Sequence, residues 1–167
     1  MAQPLPSPRR VVTSHDHNGK AIIAIDEAIA MEEVVGTPYL RGASWLATAF
    51  PAENQDKSAL GKPKLERIVQ PNGAAFYYLD IPPKCDGVMH FTQSLDLGVV
   101  LNGTVELGLP EDVKADLGPG DSLVMRGNLH SLNNKSSSEW CRILFVVMHS
   151  KKITFGDGKG VEGLEFP

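Results

Sequence analysis

The chain has 167 residues, of which 42% are hydrophobic, and this length suits one domain with a core of its own. The formal net charge is −4 and both signs are scattered along the chain, which argues against a nucleic-acid-binding or basic membrane-binding surface. No apolar run approaches the roughly 18 residues of a bilayer-spanning helix. Cys85 and Cys141 lack metal-site or redox spacing, so we expect free thiols and a cytoplasmic protein, with a single disulfide as the alternative.

The first residues predict a tail followed by a β-hairpin. Residues 1–10 are rich in proline and contain no apolar signal core, which indicates a flexible tail. Strand-forming residues at 11–13 and 21–25 flank Asn18-Gly19, a dipeptide whose tolerance of positive φ favours tight hairpin turns. Two paired strands are therefore expected in this part of the chain.

The next elements are predicted to be a helix, an extended segment and a loop. Residues 26–35 predict one short helix, which Asp26 is placed to cap. Residues 37–48 are expected to be extended around Trp45. Residues 51–63 are polar and rich in turn formers, so we expect a loop that is able to cover the mouth of a cavity.

Residues 65–150 carry the strands of the predicted domain, and residues 11–64 are expected to pack on it. Short strands separated by Gly, Pro and Asn at regular intervals predict an all-β antiparallel barrel or jelly roll. Asn102-Gly103 is the strongest hairpin signal in the chain. Residues 151–167 have four glycines and little periodicity, which predicts a C-terminal tail. The predicted barrel strands are 74–81, 97–101, 104–109, 122–125 and 141–148.

One segment of the predicted barrel combines a histidine, a threonine and an aspartate. His90 and Thr92 are one residue apart, so in an extended strand their side chains point to the same face. Asp96 has the same parity, and Gly103 follows it by seven residues. Imidazole and carboxylate groups inside a small barrel are costly unless they pair, bind a metal or serve a substrate. This is the main argument from the sequence for an active cavity.

A second segment, residues 120–134, contains the pattern Arg-Gly-x-x-His from Arg126 to His130. Together with the His-x-Thr and Asp of the first segment, it resembles the small single-domain cupins of bacteria and fungi, the cupin-2 type of conserved barrel. The resemblance covers residues 65–149. It implies an antiparallel double-stranded β-helix, that is, a cupin or jelly-roll barrel, whose interior brings His130 beside His90.

Three positions depart from the usual cupin pattern. Thr92 stands where a second histidine is usual, Asp96 where a glutamate is usual, and Arg126 where a proline is usual. A hydroxyl is a poor replacement for an imidazole as a metal ligand, and aspartate is one methylene shorter than glutamate. These departures weaken the case for a metal site, and a cupin fold by itself is compatible with many chemistries.

Three interpretations of the predicted site remain open. In the first, His90, Asp96 and His130 hold one divalent metal ion (Fe, Zn, Mn or Ni), with open positions for substrate. In the second, no metal is needed: His130 or His90 acts as general acid or base, and Asp96 orients an imidazole. In the third, the three groups are the remnant of a metal site and bond to one another. No organic cofactor is expected.

Four further residues are predicted to contact a substrate. Arg126 could hold a carboxylate, phenolate or enolate, although a turn-stabilising arginine bonded to Asp121 is an equal alternative. Thr92 could donate a hydrogen bond to substrate or satisfy the barrel backbone. Trp45 and Tyr78 are candidates to line a pocket for an aromatic substrate, although aromatic residues at such positions are more often part of the core.

The expected function is that of a small-molecule enzyme with its site inside the barrel. A lyase or isomerase, acting by dehydration or decarboxylation on an oxygenated, aromatic or polyketide-like substrate, asks only for a positioned acid and base and stabilisation of an enolate-like charge. An Fe(II)-dependent oxygenase or other metal-dependent cupin is the alternative, and a ligand-binding cupin without turnover is the third. A homodimer formed through the N-terminal strands is expected, because an uncovered strand edge invites pairing. Neither nucleic acid nor membrane is expected as a partner.

Overall fold

The computed structural model describes residues 2–55, 63–156 and 158–165. These residues form antiparallel β-strands and one short 3₁₀ turn at Pro110–Asp112, without any α-helix. The prediction of an all-β antiparallel fold is therefore confirmed. In chain order the strands are β1 (Arg9–His15), β2 (Ala21–Ala28), β3 (Glu32–Glu33), β4 (Leu40–Ala47), β5 (Ala74–Ile81), β6 (Ser94–Asn102), β7 (Val105–Gly108), β8 (Lys114–Leu117), β9 (Ser122–Met125), β10 (Ser131–Asn133) and β11 (Cys141–His149).

Two antiparallel sheets enclose the core. The larger sheet has the strand order β3-β4-β5-β11-β6-β9 and the smaller has β10-β7-β8. Burial alternates along β5 and β6, because successive side chains of a strand point to opposite faces. The side chains that point inwards from the two sheets share one buried cluster, which includes Ile81, Val100, Val105, Leu132, Ile143 and Phe145.

The N-terminal strands form a hairpin of their own, as predicted. Strands β1 and β2 pair only with each other within the described residues, and the turn between them contains Gly19 at a φ of 79°. Arg10 ties this hairpin to the larger sheet. Its guanidinium is buried, pairs with Glu27 at 2.7 Å and donates a hydrogen bond to the carbonyl oxygen of Ser44 at 3.1 Å.

The predicted short helix over residues 26–35 is wrong. Strand β2 continues to Ala28, and β3 follows after three residues. Asp26 does not cap a helix, because its two carboxylate oxygens accept hydrogen bonds from Arg9 across the hairpin, each at 2.6 Å. The pairing of β2 with β1 thus extends through the residues that were expected to start the helix.

Both ends of the described chain lie against the barrel. The carbonyl oxygens of Ala2 and Pro6 accept hydrogen bonds from Trp140 and Arg142 at 3.3 and 2.8 Å. Near the other end, the amide of Phe91 donates to the carbonyl of Leu164 at 2.8 Å. Both predicted tails therefore bond to the barrel.

No helix in the described ranges is long and apolar enough to cross a membrane. Both cysteines are buried and carry free thiols, as the sequence predicts.

Candidate functional site

A cavity of about 320 Å³ lies inside the barrel, at the lower end of the size range of small-molecule pockets. The turn between β3 and β4 forms part of its wall, and strands of both sheets form the rest. The wall is mostly apolar, with side chains that include Ile68, Leu79, Val88, Met125, Leu132 and Phe145. The polar side chains include His90, Thr92, Asp96, His130 and Arg41. The cavity therefore brings together the histidines, the threonine and the aspartate that the sequence predicts as a site.

The two histidines face each other across a pair of backbone hydrogen bonds. The amide of His90 donates to the carbonyl of His130 at 2.9 Å, and the amide of His130 donates back at 2.8 Å. The centroids of the imidazole rings are 4.5 Å apart, and the rings are inclined by 53°. The backbone thus holds both rings at one place in the cavity wall.

Each imidazole is oriented by a backbone carbonyl two residues before it. Nδ1 of His90 lies 2.8 Å from the carbonyl oxygen of Val88, and Nδ1 of His130 lies 2.9 Å from that of Asn128. A carbonyl oxygen accepts only, so Nδ1 carries the proton in each neutral ring and Nε2 is the unprotonated nitrogen. Both Nε2 atoms are therefore suited to accept a proton or to bind a metal.

Burial favours the neutral form of both histidines. It is the main reason that the pKa of His90 and that of His130 lie below their ordinary value, although the carbonyl bonds oppose the shift. The charge of His130 further lowers the pKa of His90, while Asp96 raises it. Each imidazole is therefore neutral at neutral pH, and its Nε2 is able to accept a proton.

Asp96 is a buried carboxyl group with one unsatisfied oxygen. Thr92 Oγ1 donates to Asp96 Oδ2 at 3.4 Å, and the hydroxyls of Thr92 and Ser94 lie 2.6 Å apart. Oδ1 has no hydrogen-bond partner among the described residues. Burial raises the pKa of Asp96, although hydrogen bonds from Ser94 and Thr92 and the charge of His90 lower it. A buried oxygen without a partner is costly, and it marks a place where a ligand atom can bond.

The three predicted metal ligands line one cavity but do not form a compact set of ligands. Within the described ranges, no group of three or more His, Cys, Asp and Glu side chains is placed to hold a metal ion. Two Nε2 atoms and an unsatisfied carboxylate oxygen are nevertheless donor types that Fe(II) or Zn²⁺ accepts.

The structure places the predicted substrate-binding arginine, Arg126, outside the cavity wall and another arginine, Arg41, within it. Arg126 is exposed, is not part of the cavity wall and makes no ion pair with Asp121 in the described part of the chain. Arg41 of β4 is half-buried and lines the cavity, and its Nη2 donates to the carbonyl oxygen of Leu65 at 3.0 Å. The cavity wall therefore contains a cationic group, which comes from strand β4 and not from the segment after β9.

The aromatic candidates also differ from expectation. Tyr77 lines the cavity and stacks on Phe145 with centroids 5.7 Å apart, whereas Tyr78 lies on the other face of β5 below the guanidinium of Arg142. Trp45 pairs with Phe76 on that same outer face. The reason is a β-bulge between Ala43 and Trp45, which reverses the alternation of faces after Ala43.

The loop predicted over residues 51–63 lies partly outside the described residues, because 56–62 are not described. The described parts of this loop are not among the residues of the cavity wall. Its proposed role as a cover stays a prediction. Thr37 and Tyr39, in the turn before β4, contribute to the wall.

Several fungal proteins are similar to this chain along most of its length. Phomopsin biosynthesis cluster protein D of Diaporthe leptostromiformis is 33% identical over 96% of this chain and 89% of the relative. Oryzines biosynthesis cluster protein J of Aspergillus oryzae is 28% identical over 89% of this chain and 86% of the relative. The cupin-domain-containing oxidoreductase srdB of Neurospora crassa is 30% identical over 89% of this chain and 77% of the relative.

Solved structures share the fold at low sequence identity. The polyketide cyclase RemF from Streptomyces resistomycificus superposes with a TM-score of 0.51 at 19% identity, over 71% of this chain and 72% of RemF. The Cnp3 cupin domain of Schizosaccharomyces pombe gives 0.51 at 9% identity, over 83% and 85%. No protein-family model matches the chain. With a cupin-domain relative at 30% identity along most of both chains, and with the same barrel in the structure, this chain belongs to the cupin-domain proteins.

Proposed function

We propose that this protein is an enzyme of secondary metabolism that dehydrates, decarboxylates or isomerises an oxygenated small molecule by acid–base catalysis in the barrel cavity. One observation carries the proposal. Two imidazoles with Nδ1 bonded to backbone carbonyls lie beside a buried carboxyl group with an unsatisfied oxygen, inside an apolar cavity. Such a set positions a base and an acid before any substrate enters.

His130 is the preferred base, because it is the more deeply buried imidazole and its Nε2 carries a lone pair. In a dehydration, Nε2 removes a proton from the carbon next to a carbonyl, and the C–H electron pair forms an enolate. The enolate then expels the neighbouring hydroxyl, which takes a proton from Asp96 and leaves as water. The pKa of Asp96 is raised by burial, so this carboxyl holds a proton more readily than an exposed one.

His90 limits the charge that the pair can carry. Its ring lies 4.5 Å from that of His130, so protonation of one imidazole disfavours protonation of the other. The pair therefore takes up one proton during the reaction, and His90 is placed to return a proton at a different substrate atom in an isomerisation.

The names of the relatives support a role in the synthesis of a small molecule. Those that cover most of this chain are named for the phomopsin and oryzines biosynthesis clusters. We therefore expect the substrate to be an intermediate of a comparable fungal or bacterial product, with the oxygenated and aromatic or polyketide-like character that the sequence analysis favours.

The test uses an extract from a strain of the source organism in which the gene for this protein is disrupted. Purified protein is added, and mass spectrometry follows compounds that lose the mass of water or carbon dioxide, or that change retention at constant mass. We expect the wild type to convert one compound, and to do so equally well when a chelator is present or when air is excluded. His130→Asn should not convert this compound. No conversion by the wild type contradicts the proposal and indicates a protein that binds a ligand without turnover.

A metal-dependent oxidoreductase is the second candidate. The names of three relatives favour oxidoreductase activity, because srdB, srdD and fogC are each named a cupin-domain-containing oxidoreductase, and the metal is our own addition. His90, Asp96 and His130 would be the ligands.

The metal content of protein purified without a histidine tag separates the two candidates. Near-stoichiometric iron, zinc, manganese or nickel that is lost in His130→Ala supports the oxidoreductase. Less than about a tenth of an equivalent, unchanged after incubation with these metals, supports the metal-free enzyme.

A further inference from the structure

We infer that Arg41 is the binding site for a carboxylate group of the substrate, and that the substrate is therefore a small organic acid with an apolar body. The inference rests on the proposed function in placing the substrate in the same cavity, but it concerns binding and not turnover. It begins with the position of Arg41, which pairs with Leu79 in the sheet register and lines the cavity.

Among the described residues, the guanidinium of Arg41 forms no ion pair with a carboxylate within 4.0 Å. Glu32 lies opposite Arg41 in the register and attracts it through space without forming such a pair. One hydrogen bond, to Leu65, is present, whereas a guanidinium has five N–H groups. The group thus keeps the capacity for a bidentate bond to a carboxylate.

Other buried arginines of this chain show how such a charge is usually accommodated. Arg10 pairs with Glu27 at 2.7 Å, and Arg142 pairs with Asp80 through two hydrogen bonds of 2.7 and 2.6 Å. Burying a cation is costly, and a carboxylate partner offsets the cost. Arg41 is half-buried in the wall of a cavity, so a ligand that enters the cavity is able to supply the missing partner.

The rest of the cavity defines where an anion would bind. Tyr77 interacts electrostatically with both Asp96 and Arg41, and all three side chains line the cavity. Arg41 is a cation in this wall, so it attracts an anionic group of the ligand. Tyr77 is buried and its pKa is raised, so its hydroxyl stays protonated and is able to donate a second hydrogen bond.

The remaining wall selects the body of the ligand. Leu79, Met125, Leu132 and Phe145 offer an apolar surface. A cavity of about 320 Å³ admits a molecule of the size of a bicyclic aromatic acid. The complementary ligand therefore has a carboxylate at one end and an apolar or aromatic framework that reaches the histidines.

The experiment compares two probes that differ in charge and not in size: naphthalene-2-carboxylate and naphthalene-2-carboxamide. Binding to the full-length protein is measured by isothermal titration calorimetry near pH 7.5, where the acid is ionised. We expect the wild type to bind the carboxylate about 10- to 100-fold more tightly than the amide, as a charge-assisted hydrogen-bond pair implies. In Arg41→Gln this preference should fall to within about 3-fold, and Arg41→Lys should retain part of it.

Arg126→Gln is the matched control, because Arg126 is exposed and lies outside the cavity wall. It should keep the preference of the wild type. Equal affinities for the two probes in the wild type overturn the inference without any variant, and so does a failure of both probes to bind at millimolar concentration. Retention of the preference in Arg41→Gln, or its loss in Arg126→Gln, overturns it as well.

The same measurement separates this inference from the proposed function. Neither probe has to be converted for its binding to be measured, so the calorimetry tests Arg41 independently of the catalytic role of His130. If the protein prefers the carboxylate through Arg41 but converts no compound in the extract assay, the inference about Arg41 is supported and the proposed function is contradicted. If the extract assay shows conversion but the protein binds the carboxylate and the amide equally, the proposed function is retained and the inference about Arg41 is overturned.

Discussion

His90 and His130 have the same local arrangement although they lie forty residues apart. Each ring folds back on the carbonyl two residues earlier, and each backbone bonds to the other. The protonated nitrogen is thus determined by the main chain and not by a carboxylate. Asp96 has one carboxylate oxygen, Oδ1, without a partner among the described residues. This unsatisfied oxygen destabilises the fold, and a ligand that donates a hydrogen bond to it would remove the penalty.

The lowered pKa of the buried histidines predicts how stability changes with pH. The unfolded chain binds a proton at the ordinary histidine pKa of about 6.5, whereas the folded chain resists it until a lower pH. The unfolded state therefore holds more protons in this window, and the free energy of unfolding should fall as pH drops below about 6.5. In His130→Asn this decrease should be smaller, as measured by urea unfolding between about pH 5 and 8. His17→Asn, at an exposed turn residue, should show the decrease of the wild type.

Asp96 should contribute to stability in the opposite sense. Its pKa is raised in the folded state, so the folded state holds more protons, and stability is lost as pH rises through the folded pKa. Asp96→Asn removes this buried charge and should stabilise the protein at pH 8 by about 1 kcal/mol, with a gain that vanishes near pH 3. Asp116→Asn, on the exposed strand β8, should have no comparable effect. A loss of stability in Asp96→Asn at pH 8 would show that the carboxylate is satisfied.

At the scale of one element, strand β4 shows which features the sequence predicts and which it does not. Its extended conformation was predictable, but the bulge after Ala43 was not, because no residue type marks a bulge there. In a regular strand Arg41 and Trp45 would share a face, and the bulge separates them. The sequence therefore led to Trp45, while Arg41 and Tyr77 were missed. The hairpin predicted at Asn102-Gly103 is wrong: Gly103 has the turn conformation, with a φ of 67°, but β6 pairs with β11 and β9, whereas β7 pairs with β10 and β8 in the other sheet.

The same limit explains the helix that was predicted and not found. The pattern over residues 26–35 is compatible with a helix, but the pairing partner β1 is a tertiary contact that local propensity does not contain. By contrast, the four residues His90, Thr92, Asp96 and His130 were assembled correctly in one cavity. Strand parity and the motif resemblance were sufficient for them, because all four lie in the segments that carry the resemblance.

Strand β6 depends on Gly98 for the shape of the cavity. A Cβ atom at this position would lie 2.7 Å from Cε1 of Phe145, which lines the cavity and stacks on Tyr77. Gly98→Ala should therefore push the ring aside, cost about 1 to 3 kcal/mol of unfolding free energy and weaken the binding of naphthalene-2-carboxylate. Urea unfolding and calorimetry check both effects. Gly156→Ala, where a Cβ meets nothing within 4 Å, should change neither.

Strands β5 and β11 are joined by a buried ion pair. Asp80 is fully buried, and Arg142 bonds to both of its carboxylate oxygens and to the carbonyl of Pro6. Asp80→Ala leaves the guanidinium buried without its partner and should cost about 3 to 5 kcal/mol, as measured by urea unfolding. The double variant Asp80→Ala with Arg142→Met should recover part of this loss. If the single variant costs less than about 1 kcal/mol, the pair contributes little to the fold.

For the whole molecule, the outer face of the larger sheet is notably apolar. One row of paired residues crosses five strands in the order Val124, Leu97, Val146, Phe76 and Trp45. Val124 and Leu97 are 59% and 40% exposed, and contiguous apolar surface of this kind is typical of interaction sites. The row carries no charge, so it is able to pack on the same row of a second copy about a two-fold axis. We therefore expect a homodimer that forms through this face.

The sequence had suggested instead that the N-terminal strands form the dimer, and one experiment separates the two surfaces. Light scattering coupled to size-exclusion chromatography should give the mass of two chains for the wild type. Leu97→Glu combined with Val124→Glu should give one chain, because two carboxylates per copy would be buried without partners in the sheet interface. Ile23→Glu, at an exposed apolar residue of the N-terminal hairpin, should leave the dimer intact. Dissociation by Ile23→Glu alone would assign the interface to the hairpin, and a monomeric wild type would exclude both surfaces.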